Sequence, residues 1–290
     1  MTDTVEDAAP GAGAEPEAGR GVDSADVELP GNDDERLSMS ERLRAWSGTI
    51  VAVLIILVVW EVAGRTYFEG KATLSPPTRM VASLIDEWPT YPDHIIATLT
   101  PAAKGWVAGV GLATLLGVMA VLIPATERAT LQFAVATYSL PIIAIGPILQ
   151  VTFSGDTPRA ALAGLAVFFS ALISTILGLR SASRASMEVV RALGGGRLAQ
   201  LVKVQIPAAL PTYFNGLRIS GPAAILGSVL GEYLGRVSNG LGLYMVNAAF
   251  ALQPDRTWAI ALVLTALAGS AYLAIGLVGR LLTPWAREDG

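Results

Sequence analysis

The chain has 290 residues, of which 52% are hydrophobic and 15% charged, and its mean hydropathy is +0.53. Those values are too apolar for a soluble domain of this length and predict an all-α, polytopic membrane protein. With no cysteine and a single histidine, His94, the chain offers no disulfide framework, zinc–thiolate site, thiol nucleophile or multi-histidine metal cluster.

The net charge of −4 is unevenly divided. Residues 1–44 carry twelve acids and four bases (−8), which leaves twelve acids and sixteen bases (+4) for the rest. The first segment is rich in Ala, Gly, Pro, Asp and Glu. It cannot bury enough apolar surface to offset its ordering entropy, so 1–44 is expected to be a disordered acidic tail. It lacks the basic-then-apolar order of a signal peptide. Residues 45–290 form the expected transmembrane domain.

A span needs about 20 apolar residues to cross about 30 Å of hydrocarbon. Six segments meet or approach this: 48–64, 102–123, 130–153, 160–179, 213–232 and 258–282. Arg36, Arg42 and Arg44 precede the first, which predicts a cytoplasmic N-terminus. Six crossings then place the basic loop 180–211 and the C-terminus inside as well, in a multi-pass protein of the plasma or inner membrane.

The outer loop 65–101 contains Leu74-Ser75-Pro76-Pro77, with Met80, Leu84, Ile85 and Trp88 following at helical spacing. Pro77 suits a helix start, and the apolar face suits a membrane surface. His94, after Pro92, reads as an ordinary loop residue. In the second span Gly105, Gly109, Ala113 and Gly117 recur every fourth residue; in the fifth Gly216, Ser220, Ala224 and Ser228 do so, with Glu232 next. Residues at i and i+4 share a face, and small ones allow close backbone approach. These stripes predict helix–helix contacts, with a permeation surface as the sharper reading.

The third span holds Pro141, Gly146, Pro147 and Gln150. Each proline frees backbone groups that protein or a water-lined cavity must satisfy at membrane depth. Two readings stand open: a solute path, or a kinked span packed in a bundle. Ser220, Ser228 and Glu232 join Pro141, Pro147 and Gln150 as candidate path residues, with an interfacial ion pair or helix-end role as the other reading of Glu232.

The loop 180–211 carries Arg180, Arg184, Arg191, Arg197 and Lys203 against the lone acid Glu188. A helix is expected over Ser183–Leu193. Gly194-Gly195-Gly196 then supplies a reversal, helical spacing resumes through Leu198, Leu201 and Val202, and Pro207 and Pro211 end it. Such an element lies on lipid headgroups or inserts into a groove on a partner.

Glu188, Gly194, Val204, Ile206 and Pro207, at their spacing, resemble the "EAA" loop of inner-membrane permeases from binding-protein-dependent ABC importers. Pro207-Ala-Ala-Leu-Pro211, Gly216-Leu217-Arg218, Gly231-Glu232 and Gly240-Leu241-Gly242 resemble the nitrate/sulfonate/taurine branch, as do Pro141 to Pro147, Phe153 and Leu74 to Pro77. The likeness runs through about residues 45–285. Val189-Val190 stands where the family has two alanines, Thr152 and Ser154 replace a Trp and a Gly, and Pro222 is an extra break.

The resemblance implies a six-span, type I ABC importer permease that dimerises, with a homodimer expected. It would bind two cytoplasmic ATPase subunits and receive solute from an extracytoplasmic binding protein. Glu188, Val189, Val190, Gly194, Arg197, Leu198, Leu201 and Pro207 would couple to the ATPase. The solute would be small and polar or anionic, of the sulfonate, taurine or nitrate kind. No cofactor is expected on this chain; ATP and magnesium would sit on the partner. Membrane lipid would surround it, and no nucleic-acid partner is expected.

Gly70-Lys71 is followed by alanine and lacks a correctly spaced earlier glycine, so it is not a phosphate-cradling loop. An ion-coupled secondary transporter is the alternative. Glu61, Lys104, Arg218 and Glu232 fall near the expected span ends, which argues against proton coupling. An intramembrane enzyme is the remote alternative, given the missing Cys and the lone His.

Overall fold

A computed structural model of the chain describes residues 39–70, 73–235 and 238–287. The first 38 residues of the expected acidic tail lie outside these. From Met39 the chain is helical. The chain divides at Leu54 into two units, and all the packing below lies within the larger, Ile55–Gly290.

All regular structure among the described residues is helical. The long helices are α1 (Met39–Thr66), α3 (Tyr91–Leu122), α6 (Thr157–Arg180), α9 (Ile206–Leu234) and α11 (Pro254–Leu282). Between them come α2 (Pro77–Asp86), α4 (Pro124–Ser139), α5 (Ile142–Thr152), α7 (Arg184–Ala192), α8 (Arg197–Gln200) and α10 (Leu241–Phe250).

Helix α6 is the centre. It packs along α9 on one side and α3 on the other, and it buries Leu162, Val167, Phe168 and Leu172. The stripe on α3 makes this approach possible. A methyl group on Gly105 would lie 2.2 Å from the Ala160 carbonyl oxygen, and one on Gly109 2.5 Å from that of Gly164. On the other side, a methyl on Gly216 of α9 would meet Ser174 at 2.2 Å. Both stripes are therefore helix contacts within the chain.

Among the described residues four helices are long and apolar enough to cross a membrane: the Ser47–Thr66 part of α1, α6, α11, and the segment Trp88–Leu122 that contains α3. A fifth candidate is the pair α4–α5, bent by 90°. The expected span 130–153 is thus two helices, with a break sharper than a kink. Pro141 occupies the extended residue before α5 (φ −66°, ψ 108°), where it leaves no amide to satisfy and fixes the corner.

The expected span 213–232 lies in α9. That helix has 29 residues, about 44 Å at 1.5 Å per residue, yet it falls short of the others in apolarity. Its Ser220, Ser228 and Glu232 are buried against protein, so they need not be lipid-soluble.

Three boundaries were misread from sequence. Helix α3 starts at Tyr91 rather than near 102, with Pro92 in its first turn, where an amide is not needed. The stretch 233–257 between the expected spans 213–232 and 258–282 contains α10, packed on α11, α9 and α3. Pro207 and Pro211 do not end the helical run. A π-helical turn, Leu201–Gln205, widens the backbone, Pro207 falls in the first turn of α9, and the helix continues through Pro211 and Pro222.

The motif Leu74 to Pro77 starts α2 as expected, with Pro77 in the first turn. Met80 and Leu84 face protein, and α2 packs on α11, while Ile85 and Trp88 stay exposed. Part of the face expected on a membrane surface therefore closes the bundle.

Candidate functional site

The loop from Arg180 to Pro211 folds as a hinge of two short helices at the C-terminal end of α6. Ser183 caps α7: its Oγ accepts a hydrogen bond from the Ser186 amide at 3.1 Å. At the other end the Gly194 amide donates to the Arg191 carbonyl (3.0 Å) and the Gly195 amide to the Val190 carbonyl (2.8 Å). This pair of bonds is a helix stop that requires a left-handed residue, and Gly194 supplies it at φ +79°. The expected helix and reversal are both present.

Gly195, within the expected reversal, is packed. A methyl group there would lie 2.5 Å from Val190 Cγ1 and 2.7 Å from the Val190 carbonyl oxygen. Val190 and Gly195 therefore fit one another.

The base of the hinge is anchored. Leu201 is buried with Leu179 and Ala209. Gln205 Nε2 donates to the Leu179 carbonyl (3.3 Å), Ser181 Oγ to that of Ala208 (3.2 Å), and Gln200 Nε2 to that of Met187 (3.1 Å). Arg180 pairs with Glu127, and Arg197 Nη1 reaches the Leu122 carbonyl at 3.4 Å.

The tip is open. Glu188, Val189, Gly194, Arg197 and Leu198 are exposed; Leu193 is 82% and Leu198 66% exposed, beside Arg184 and Arg191. Val190 and Pro207 are half-buried. Leu201 faces the bundle, so it belongs to the anchor rather than to the open face.

The six candidate path residues do not form one surface. Pro141 and Pro147 are exposed on α5. Gln150 donates from Nε2 to the Gly231 carbonyl at 3.2 Å, and Gly146 packs on Leu234, so α5 leans on the end of α9. Ser220 and Ser228 are fully buried. Ser220 Oγ accepts from Trp106 Nε1 (2.8 Å) and Ser228 Oγ donates to the Thr98 carbonyl (2.9 Å), which ties α9 to α3.

Glu232 sits in a closed polar knot at the opposite end of α9 from the hinge. It is 1% exposed; its Oε2 accepts from the Gly242 amide at 2.6 Å, and its Oε1 lies 3.8 Å from Arg159 Nη1. Arg159, itself buried, also donates to the carbonyls of Ala97 (3.2 Å) and Asn239 (3.3 Å) and pairs with Asp156. Thr98 Oγ1 accepts from the Leu241 amide at 2.8 Å. Gly240 lies so close that a methyl would be 2.3 Å from the Glu232 carboxyl carbon, and its φ is +146°. Of the two readings of Glu232, the geometry is that of an ion pair at a helix end.

Sequence reasoning overlooked Arg159. A clue was available: a cation in the first turn of a helix opposes the macrodipole and calls for a specific anion. His94 was read as an ordinary loop residue. It lies in the first turn of α3, stacks on Tyr244 (centroids 4.5 Å, planes 5° apart), and accepts from the Gly240 amide through Nδ1 at 3.2 Å. Arg218 lies twelve residues inside α9 rather than near a span end.

The model of the family described as binding-protein-dependent transport system inner membrane component matches residues 109–288, more than half of the chain. The chain is 32% identical over 246 residues to the riboflavin transport system permease protein RibX of Chloroflexus aurantiacus, covering 82% of this chain and 90% of that one. It is 28% identical over 239 residues to the formylaminopyrimidine transport permease protein ThiX of Halalkalibacterium halodurans (81% and 94% covered). It is 27% identical over 262 residues to the taurine transport system permease protein TauC of Escherichia coli (87% and 94% covered). Its fold is like that in an inward-facing structure of the MetNI methionine ABC transporter, with TM-score 0.54, 20% identity, and 70% and 98% of the two chains covered. The chain belongs to the binding-protein-dependent transport system inner membrane components, and it is the permease subunit of an ABC importer.

Proposed function

We propose that this permease moves a small polar or anionic solute inward by alternating access, and that the hinge Arg180–Pro211 receives the stroke of a separate ATPase. The observation that carries the reading is the hinge itself: a helix capped at both ends, anchored through Leu201, with exposed Leu193 and Leu198 between arginines. An anchored base with an open amphipathic tip suits an element that transmits force to a partner groove. Glu188, Val189, Gly194, Arg197 and Leu198 form its contact face, Val190 its packed floor, and Pro207 the joint to α9. The ATPase carries ATP and magnesium, and the termini and hinge lie on its side of the membrane, as the charge pattern supports.

An extracytoplasmic binding protein delivers the solute, and two copies of this chain enclose the path. The exposed side of α5, with Pro141 and Pro147, is the wall nearest the solute; Gln150, Ser220, Ser228 and Glu232 hold that wall to the bundle. The solute class rests on relatives. Permeases named for taurine and aliphatic sulfonates are among them, and so are permeases named for formylaminopyrimidine, riboflavin and carnitine. A sulfonate, taurine or nitrate-like anion is our reading among these.

The test uses the assembled transporter in vesicles. Glu188→Ala or Gly194→Pro should leave membrane insertion intact and break the link between ATP hydrolysis and uptake. Normal coupled uptake in both variants, or uptake that follows a proton gradient without ATP, would end the proposal. Mass spectrometry of the ligand retained by the purified binding protein identifies the solute.

A further inference from the structure

We propose that a cavity between α3, α6 and α9, behind the anchor of the hinge, holds the hydrocarbon chain of a phospholipid from the leaflet on the hinge side. The cavity has a volume of about 180 Å³ and is lined by Thr114, Val118, Leu179, Ile206, Leu210 and Tyr213, among others. Leu179 and Ala209, which hold Leu201 in the anchor, are both in its wall, and Ile206 directly follows the π-helical turn. An occupant therefore fills the space behind the joint through which the hinge meets α9.

The lining selects an apolar occupant. Its hydroxyl groups are engaged inside the fold: Thr114 Oγ1 and Tyr213 Oη share a hydrogen bond at 2.9 Å, and Thr175 Oγ1 donates to the Ala171 carbonyl at 2.6 Å. Among the described residues no charged side chain lines the space. Water needs about two to four polar partners to stay in such a cavity, and a polar or anionic solute needs donors; neither finds them here. An engineered apolar cavity of about 150 Å³ stays dry and takes up benzene, so this one has room for about six carbon atoms of a chain.

Depth and access select the source of that chain. Thr114 and Val118 lie within eight residues of the end of α3 at Leu122, Thr175 and Leu179 lie within five of the end of α6 at Arg180, and Ile206 to Tyr213 begin α9. At about 1.5 Å per residue, the lining falls within about 12 Å of the hinge ends of these helices, inside one half of a hydrocarbon core about 30 Å thick. Ile206 lines the cavity yet is 39% exposed, so the space opens at the surface of the chain. Leu115 and Met119, next to Thr114 and Val118 in α3, are also exposed and extend the apolar surface outward. An acyl chain of that leaflet meets the opening at its own depth, whereas an empty apolar space forfeits the dispersion contacts of its lining.

The full-length chain is reconstituted in nanodiscs of phosphatidylcholine that carries a photoreactive diazirine either in the acyl chain or in the headgroup. After irradiation the labelled positions are mapped by peptide mass spectrometry. The expected result is that the acyl probe labels Tyr213 and its neighbours in the cavity as well as the exposed face of α11, and that the headgroup probe leaves Tyr213 unlabelled. Val118→Phe fills the space with a ring and should cut acyl labelling at Tyr213 about tenfold relative to α11, which lies outside the cavity. Leu210→Phe fills it from α9 and carries the test if Val118→Phe does not fold. Acyl labelling of α11 without Tyr213, or labelling of Tyr213 unaltered in both filled variants, overturns the proposal. Labelling of Tyr213 by both probes alike shows polar access and overturns the hydrocarbon occupant.

Discussion

Glu232→Ala tests the buried knot that joins α3, α6, α9 and the start of α10. Three losses coincide. The Gly242 amide loses a charged acceptor at 2.6 Å, worth about 1.5–3 kcal/mol. Arg159 loses the buried carboxylate 3.8 Å away and, among the described residues, keeps Asp156 as its charged partner. A void also opens beneath Gly240. Removing one member of a buried ion pair costs about 3–5 kcal/mol. At about 2–4 °C per kcal/mol for a chain of this size, the apparent thermal midpoint should fall by about 10 °C.

The assay is tryptophan fluorescence of the full-length protein in detergent, at one scan rate. Arg159→Leu and the double variant complete the cycle. If the two side chains act as a pair, the double variant should lose less than the sum of the singles by about 1 kcal/mol or more. A fall of less than about 2 °C in Glu232→Ala, or strict additivity, would refute the reasoning. A changed apparent KM for uptake with an unchanged midpoint would instead make Glu232 a solute contact.

Two glycines on α3 should respond in opposite directions. Gly109→Ala forces a methyl to within 2.5 Å of the Gly164 carbonyl and should lose about 1–3 kcal/mol, whereas Gly111→Ala meets nothing within 4 Å and should gain up to about 1 kcal/mol. Equal thermal shifts would contradict the α3–α6 contact. In the hinge, Gly195→Ala should impair coupled uptake through its clash with Val190, while Gly196→Ala, in open space, should not; the reverse order would refute the packing.

Glu87 provides a pH test. Burial pushes its carboxyl up, but hydrogen bonds from Arg256 (2.6–2.9 Å) and Tyr244 (2.5 Å) and the Arg256 charge hold it below the ordinary glutamate value. A lowered folded-state pKa means stability that is complete above the ordinary value of about 4.3 and lost as pH falls through the folded one. The pair is partly exposed, so the loss should be about 1 kcal/mol. Glu87→Gln should flatten the acid limb of the midpoint–pH curve, and an unchanged limb would assign the acid sensitivity elsewhere.

Local chemistry made parts of the fold and site readable in advance. Ser183 and Gly194 marked both ends of α7 because capping and a left-handed stop depend on a few adjacent residues. The glycine stripe on α3 announced a close helix contact, although nothing in it said that α6 was the partner. Three features stayed hidden: the fit of Gly195 to Val190, the passage of the helix through Pro207, and α10 between two expected spans. Each depends on neighbours that composition and period do not report.

Apolar runs and the basic loop were enough to read a helical membrane protein from sequence, because lipid demands long runs with satisfied backbones, while the ordered motifs supplied the resemblance that pointed to a permease. Only the tertiary structure decided which polar groups meet. Arg159 and Glu232 are 73 positions apart, and a buried charge is tolerable only where folding delivers its counter-ion. The same step turned Leu201 inward and left Leu193 and Leu198 outward, since what a side chain buries depends on the helices packed around it.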